Sequence, residues 1–261
     1  MLHNFNSAIV SLNVLTLWSH NVLKKNLILL GSLLAMTGLN TPAMAELDKV
    51  DRAVMHRVIK QYIMDNPEVL RDALMGLAAR EKQAMITAGL TKLKRDNGDP
   101  IMGNVSGSLV IYEFSDYNCG YCKRMFPTIQ QLLADNDDIR LVVKEFPILS
   151  QSSLIAARAG VAAQKQDKFP AFHREMMTYR GQVNEAVIMT AARNAQLDLD
   201  QLRQDMDSPT TTAIIDRTRA SAEALNLNGT PALVVGDTII PGAVEIEKLR
   251  NVIKRERAKQ G

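Results

Sequence analysis

Cysteine is scarce in this sequence, which has 261 residues and only two cysteines, Cys119 and Cys122. A secreted domain held together by disulfides carries more cysteines, at scattered positions. The composition therefore excludes a disulfide framework. It leaves a reactive or metal-binding role for the two thiols.

The sequence also has little excess of positive over negative charge, and few histidines. The formal net charge is +3, and Lys24 and Lys25 contribute two of these positive charges. After Ala45 the chain has 29 basic and 28 acidic residues, a balance of +1 that indicates neither nucleic acid nor another electrostatic partner. Only His56 and His173 follow that point, and their isolation argues against a histidine-based metal site.

A hydrophobic run long enough to cross a membrane is missing from the N-terminal region. The apolar run from Leu27 to Leu39 has 13 residues, whereas a transmembrane helix needs roughly 20. This run follows a basic pair and precedes Ala43-Met44-Ala45, the layout of a secretory signal peptide. We expect residues 1–45 to be cleaved after Ala45 and the protein to be exported. In a Gram-negative host the destination is the periplasm, with association at the outer membrane as a further option.

The chemically distinctive stretch is residues 109–125, LVIYEFSDYNCGYCKRM. Its first half is β-branched, aromatic and aliphatic, which predicts a buried strand, and a polar turn follows. After the cysteines, apolar residues recur at helical spacing, so Cys119 stands where a helix begins. Unpaired N–H groups and the helix dipole favour an anion at that position, and a thiolate is an anion.

This position predicts different roles for the two thiols. We expect Cys119 to be an exposed, acidic nucleophile. We expect Cys122, about one helical turn further in, to be the shielded thiol that resolves a mixed disulfide. A zinc half-site and a static disulfide are the alternatives for an isolated C-x-x-C, and the strand-turn-helix context favours redox chemistry.

The segment before this stretch, residues 46–95, predicts an arm of two amphipathic helices. Asn66-Pro67 interrupts the first helical pattern, and Asn is a good N-cap while Pro is a good first helical residue. The apolar faces of the two helices need a partner. That partner is either the rest of the same chain or other copies of it, and we favour a dimer or trimer arm.

The remainder, residues 96–261, has the pattern of an α/β domain. A short edge strand is predicted at 100–102, a buried strand at 139–146 and a hairpin at 232–240. Between them, about 75 residues show helical periodicity and no strand signal. A loop of that length is improbable in a compact domain, so we predict a helical insertion over about 150–226.

Three segments, EFSDYNCGYCKRMFP, VVKEFPIL and GTPALVVGD, resemble the DsbA family of periplasmic thiol-disulfide oxidoreductases. The resemblance is closest to the oligomeric branch with an N-terminal helical extension, which includes ScsC-like and Com-type proteins. It implies a thioredoxin fold with an inserted helical subdomain, preceded by a helical oligomerisation arm.

The resemblance also implies roles for individual residues. Cys119 matches the nucleophilic cysteine and Cys122 the resolving one. Thr230-Pro231 matches the loop whose cis proline faces the active-site sulfurs, where the backbone can pair with an incoming peptide. Gly120-Tyr121 between the cysteines lacks the histidine of the best-known oxidants, and Thr230 replaces their valine. Both departures argue against a purely oxidising role.

Glu113 and Lys144 match a buried charged pair beneath the active site of relatives. A carboxylate near Cys122 would take its proton during exchange, and the lysine would offset the cost of burying that charge. The alternative is that both residues are surface charges at strand ends.

The sequence therefore predicts an exported thiol:disulfide oxidoreductase that forms, reduces or isomerises disulfides in unfolded or misfolded exported proteins. It needs no organic cofactor, because electrons pass to a membrane redox partner of the Dsb type. A homo-oligomer is expected. Two alternatives remain open: a copper-handling protein that holds Cu(I) between Cys119 and Cys122, and a surface antigen or structural protein that uses the fold as a scaffold.

Overall fold

The computed structural model describes residues 42–259, so nearly all of the predicted signal peptide lies outside the described residues. The elements in chain order are α1 (Pro42–Asp65), α2 (Pro67–Leu93), β1 (Ile101–Gly103), β2 (Leu109–Ser115), α3 (Gly120–Ala134), β3 (Ile139–Glu145), α4 (Gln151–Lys165), α5 (Phe169–Thr178), α6 (Glu185–Asn194), α7 (Leu199–Met206), α8 (Pro209–Ala224), β4 (Ala232–Val235), β5 (Thr238–Pro241) and α9 (Ile246–Ala258).

The sheet has five strands in the order β1-β3-β2-β4-β5. The central strands β2 and β3 are parallel, and the other neighbours are antiparallel. A parallel pair requires a crossover connection, which α3 supplies. The predicted α/β class, the short edge strand and the hairpin are confirmed.

The two faces of the sheet carry separate hydrophobic clusters, because alternate side chains of a strand point to opposite faces. Ile111 and Leu141 pack with Met125 and Ile129 of α3 on one face, which we call the α3 face. The opposite face, which we call the α8 face, carries a second cluster formed by Phe114, Val142 and Phe146 with Leu93, Ala222 and Leu225.

The predicted helical insertion consists of α4 to α8, between β3 and β4. Several of these helices begin at a side chain that accepts a hydrogen bond from the first turn. The capping residues are Ser150, Asn184, Asp198 and Ser208. Such caps satisfy N–H groups that have no partner within the helix, and they mark where each of these short helices begins.

The two predicted N-terminal helices are present, and α2 begins at Pro67, as the Asn66-Pro67 signal predicted. Asn66 donates its side-chain amide to the carbonyl of Tyr62, 2.8 Å away, and so closes α1. The compact units divide between Leu70 and Arg71 and not near residue 95. The reason is packing, since Leu93 at the end of α2 is fully buried in the α8-face cluster.

Most of the described apolar side chains of α1 are exposed, and Ile63 is half-buried. Val54, Val58, Ile59 and Tyr62 are 48%, 62%, 50% and 56% exposed, respectively. Within residues 42–259, no helix combines the length and the apolar character that crossing a membrane requires.

Candidate active site

The C-x-x-C motif lies at the start of α3, after the turn that follows β2, as predicted. Cys119 is the N-cap of α3, and its Sγ accepts a hydrogen bond from the backbone N–H of Cys122 at 3.4 Å. Both cysteines are free thiols. Cys122 is fully buried, but the expectation of an exposed Cys119 is wrong, because only 6% of it is accessible.

The Thr230-Pro231 loop accounts for the burial of Cys119. The Cys119 thiol donates to the carbonyl oxygen of Thr230 at 3.2 Å, so the loop lies directly against the sulfur. The peptide bond between Thr230 and Pro231 is cis, as the resemblance implied. The Thr230 hydroxyl is buried and has no hydrogen-bond partner while Cys119 is a thiol.

The electrostatics of the two sulfurs differ in the predicted direction. The hydrogen bond with the Cys122 thiol is the main influence that lowers the pKa of Cys119 to about 5. The Thr230 side-chain hydroxyl and the backbone N–H groups of Tyr121 and Cys122 lower the pKa further, and burial opposes them. The same sulfur pair raises the pKa of Cys122, and burial adds to that rise. Cys119 is therefore the thiol that ionises first, and Cys122 is the one that keeps its proton.

A cleft of about 720 Å³ opens beside the motif. Tyr121, Arg124 and Thr230 line one part of it, and residues 242–245 line another. Tyr121 is 60% exposed, and the Arg124 guanidinium stacks on its ring at 4.0 Å from the centroid. Tyr121, one of the two residues between the cysteines, therefore lies at the edge of this cleft.

Glu113 and Lys144 are both buried, so the surface alternative is wrong, but they do not form the predicted pair. The register of the parallel strands pairs Glu113 with Val143 and Phe114 with Lys144. Residues one position apart along a strand point to opposite faces. Glu113 therefore lies on the α3 face and Lys144 on the α8 face.

Lys144 has a different carboxylate partner. Its Nζ lies 2.7 Å from Oδ2 of Asp99, and Arg217 of α8 contacts the same oxygen at 2.9 Å. Lys144 and Asp99 have fully buried side chains. This cluster joins the segment before β1 to β3 and α8, and Lys144 lies on the face of the sheet opposite the cysteines.

Glu113 remains without a cation within salt-bridge distance among the described residues. Burial raises its pKa to about 7. Its charge, when present, raises the pKa of Cys122. An acid that titrates near neutrality and interacts electrostatically with the Cys122 thiol has the properties of a proton acceptor for that thiol.

The turn between β2 and the motif contains functional positions that the sequence reasoning did not identify. The Asp116 carboxylate accepts hydrogen bonds from the backbone N–H groups of Asn118, Ile148 and Leu149. Asn118 accepts from the backbone N–H of Val183, and its amide donates to a group of serine hydroxyls at the start of α4. The only sequence signal was the density of turn-forming Asp and Asn.

Tyr117, between these two residues, contacts Glu145 and His173. His173, which the sequence left as an isolated residue, is buried beside the active-site turn. Within residues 42–259 there is no cluster of three or more His, Cys, Asp or Glu side chains that could hold a metal ion.

Comparison with protein families supports this geometry. Residues 110–254 match the model of the DSBA-like thioredoxin domain. Among curated proteins, the disulfide bond formation protein D of Bacillus subtilis is 23% identical over an alignment of 171 positions, and that alignment covers 61% of this chain and 77% of that protein. Matches to Na⁺/H⁺ antiporters are partial: for NhaA 1 of Salinispora arenicola, 27% identical, the chain spans only 24% of that protein and 58% of its own length.

Solved structures show the same likeness. A thioredoxin-like oxidoreductase from Silicibacter pomeroyi is 41% identical, with a TM-score of 0.62, and the match covers 64% of this chain and 96% of that one. ScsC from Proteus mirabilis in a transitional conformation is 28% identical, with a TM-score of 0.61. That second match covers 82% of this chain and 99% of the other.

Proposed function

Because the chain belongs to the DSBA-like thioredoxin-domain family, we propose that it is a thiol:disulfide oxidoreductase acting on exported proteins. The observation that carries the proposal is the asymmetry of the two sulfurs. Cys119 has a lowered pKa and contacts the carbonyl of Thr230, Cys122 has a raised pKa, and a cleft lined by Tyr121, Arg124 and Thr230 opens beside the motif. A static disulfide or a structural thiol pair needs no such asymmetry.

In the reductive direction, the Cys119 thiolate attacks one sulfur of a client disulfide. The bond between Cys119 and that client sulfur forms, the client disulfide breaks, and the second client sulfur leaves as a thiolate. The peptide around the client sulfur lies along the cleft, where the backbone at Thr230 is available for strand-like pairing.

Resolution of the mixed disulfide uses Cys122. The Glu113 carboxylate accepts the Cys122 proton, and the resulting thiolate attacks the sulfur of Cys119. The Cys119–Cys122 disulfide forms, the client leaves as a thiolate, and two electrons have passed from the protein to the client. Oxidation of a client is the same sequence in reverse, and isomerisation combines the two.

Kinetic trapping tests this assignment. Cys119→Ser should abolish insulin reduction and refolding of scrambled ribonuclease, because the remaining thiol, Cys122, is fully buried and has a raised pKa. Cys122→Ser should retain the first step and accumulate a mixed disulfide with a client peptide, detectable by mass spectrometry. Activity that survives in Cys119→Ser would contradict the proposal and favour the scaffold alternative, whereas stoichiometric Cu(I) binding without disulfide exchange would favour copper handling.

We further propose that the protein works in the periplasm, where a membrane redox partner of the Dsb type resets the dithiol. The layout of residues 24–45 supports export, and an oxidising compartment gives a two-cysteine exchange protein its clients. Mass spectrometry of the protein from the periplasmic fraction tests this proposal. We expect the mature chain to begin at Glu46.

The exposed apolar residues of α1 support a homo-oligomer in which a second copy of this chain covers them. The match to Proteus mirabilis ScsC extends over 82% of this chain, whereas the Silicibacter pomeroyi match covers 64%, so the shared region with ScsC is longer. Facing active sites in a dimer or trimer would suit disulfide isomerisation.

Light scattering on the full mature chain tests the arm. The double substitution Val58→Glu with Ile59→Glu should reduce the mass to that of one chain, because buried charges oppose association. Lys60→Glu, a polar neighbour on the same helix, is the control and should leave the mass unchanged. A single-chain mass for the unsubstituted protein would contradict this part of the proposal.

A further inference from the structure

A hydrogen-bonded chain of three buried side chains stands outside the mechanism described above. The hydroxyl of Tyr117 donates to Oε1 of Glu145 at 2.7 Å, and it lies 3.0 Å from Nδ1 of His173. Each of the three residues is only 1% exposed. Polar groups buried to this degree are costly unless they are partnered, and here the phenol supplies a partner to both of the others.

The three residues belong to three different parts of the fold. Tyr117 lies in the active-site turn, two residues before Cys119, and Glu145 is the last residue of β3. His173 lies on α5, within the helical insertion. One hydroxyl therefore connects the active-site turn to the sheet and to the inserted helices.

Packing around the chain holds these groups in place. The His173 ring contacts the rings of Phe126 and Phe169, with centroids 5.4 Å and 4.9 Å away, and Phe126 belongs to α3. Gly160 of α4 leaves room for the contact, since a Cβ there would lie 2.5 Å from Glu145 Oε1 and 2.9 Å from the Tyr117 hydroxyl. The position of the phenol is thus set from several sides.

The proton arrangement follows from the chemistry of the three groups. A phenol donates one hydrogen bond, and here it donates to Glu145. Burial lowers the pKa of His173 to about 3, so the imidazole is neutral, and its Nδ1–H is the donor that the phenol oxygen accepts. A neutral amide at position 145 could accept the same bond from Tyr117.

We propose that Tyr117 is a positioning residue for the nucleophile, and the inference rests on the thiol-exchange function proposed above. Its hydroxyl, held between Glu145 and His173, fixes the turn that brings Cys119 Sγ to the backbone N–H of Cys122. The packing of the helical insertion against the sheet thereby affects the stability of the Cys119 thiolate. It acts through His173 and Tyr117 and not through direct contact with the sulfur.

Tyr117→Phe tests the proposal, because it removes only the hydroxyl and keeps the ring. We expect the pKa of Cys119 to rise toward its ordinary value, and the rate of Cys119 alkylation at pH 5 to fall roughly fivefold, the size of one lost hydrogen bond. Tyr112→Phe is the matched control, since Tyr112 lies on β2 but in the α8-face cluster. It should leave the alkylation rate unchanged.

Two further variants separate positioning from general destabilisation. Glu145→Gln should retain nearly the wild-type alkylation profile, because the amide oxygen still accepts from Tyr117. His173→Phe should shift the profile in the same direction as Tyr117→Phe, and the double variant should add little to either single change.

The outcomes distinguish this inference from the proposed function. A folded Tyr117→Phe protein with an unchanged Cys119 titration would overturn the positioning role, as would a Glu145→Gln protein shifted as far as Tyr117→Phe. Failure of the wild-type protein to exchange disulfides would instead contradict the proposed function, and the titration of Cys119 would still report on Tyr117.

Discussion

The two faces of the sheet bury charged side chains in opposite ways. On the α8 face, Asp99 is buried against Lys144 and Arg217, so two cations oppose the effect of burial on its carboxylate. On the α3 face, burial alone acts on Glu113 and raises its pKa to about 7. In the first arrangement the cations offset part of the burial effect, although burial still raises the pKa of Asp99, and the second yields a group that gains and loses a proton near neutral pH.

The difference indicates that the buried charges of the α8 face stabilise the fold, whereas the buried acid of the α3 face serves the chemistry. An ion cluster resists protonation changes, because moving one proton leaves a partner uncompensated. An unpaired acid has no such partner, so its protonation follows the pH and the state of its neighbours. The face that carries the cysteines has the unpaired acid, which fits a reaction in which Cys122 must lose a proton.

The largest expected effect comes from breaking the ion cluster. Asp99→Ala leaves Lys144 buried without its carboxylate and should lower the free energy of unfolding by about 3–5 kcal/mol. Urea denaturation at pH 7 measures this loss. Asp216→Ala removes the carboxylate of an exposed pair with Arg219 and serves as the control, with an expected loss of at most about 0.5 kcal/mol.

The Asp99 result also bears on the comparison of the faces. Any Asp99→Ala protein that remains folded should reduce insulin at the wild-type rate, because the cluster lies on the face away from Cys119. Equal losses in Asp99→Ala and Asp216→Ala would show that the buried cluster contributes no more than a surface pair.

The second effect is a pH dependence that Glu113 imposes on stability. The pKa of Glu113 is about 7 in the folded protein, against an ordinary value of 4.5. Between pH 4.5 and about pH 7, Glu113 binds more protons in the folded protein than in the unfolded chain, so the free energy of unfolding falls as the pH rises. The full loss, reached above about pH 7, is about 3 kcal/mol.

Glu113→Gln should remove that slope, and urea denaturation of both proteins at several pH values from 4 to 8 measures it. His173 acts in the opposite direction, because its pKa is lowered to about 3 and stability is therefore lost at acid pH. That contribution is present in both proteins and cancels in their difference. Parallel stability curves for the two proteins would mean that Glu113 is not titrating as proposed.

Much of the fold was predictable from local patterns. Continuous apolar runs marked β2 and β3, and the turn at Gly236-Asp237 marked the β4–β5 hairpin. The motif context also predicted the asymmetry of Cys119 and Cys122. The insertion was predicted only as a helical region, although capping residues such as Ser150 and Asn184 were readable signals for its helix starts.

The missed features depend on contacts that the sequence pattern does not encode. Whether Glu113 faces Lys144 depends on register, and a shift of one residue moves a side chain to the other face. The cover over Cys119 comes from Thr230, 111 residues away, and the partners of Tyr117 are 28 and 56 residues away. No periodicity links such positions, so only tertiary packing brings them together.

The smallest expected effect contrasts two helical glycines. Gly160→Ala places a Cβ against Glu145 Oε1 and the Tyr117 hydroxyl and should destabilise the protein by about 1–3 kcal/mol. Gly76→Ala in α2 meets nothing within 4 Å and should stabilise it by about 0.5–1 kcal/mol, because alanine favours a helix. Thermal denaturation of the two variants should therefore show shifts of opposite sign. If Gly160→Ala is stabilising as well, Glu145 and Tyr117 can separate without cost. The hydrogen bonds of Tyr117 on the α3 face would then contribute less to stability than the ion cluster of Asp99, Lys144 and Arg217 on the α8 face.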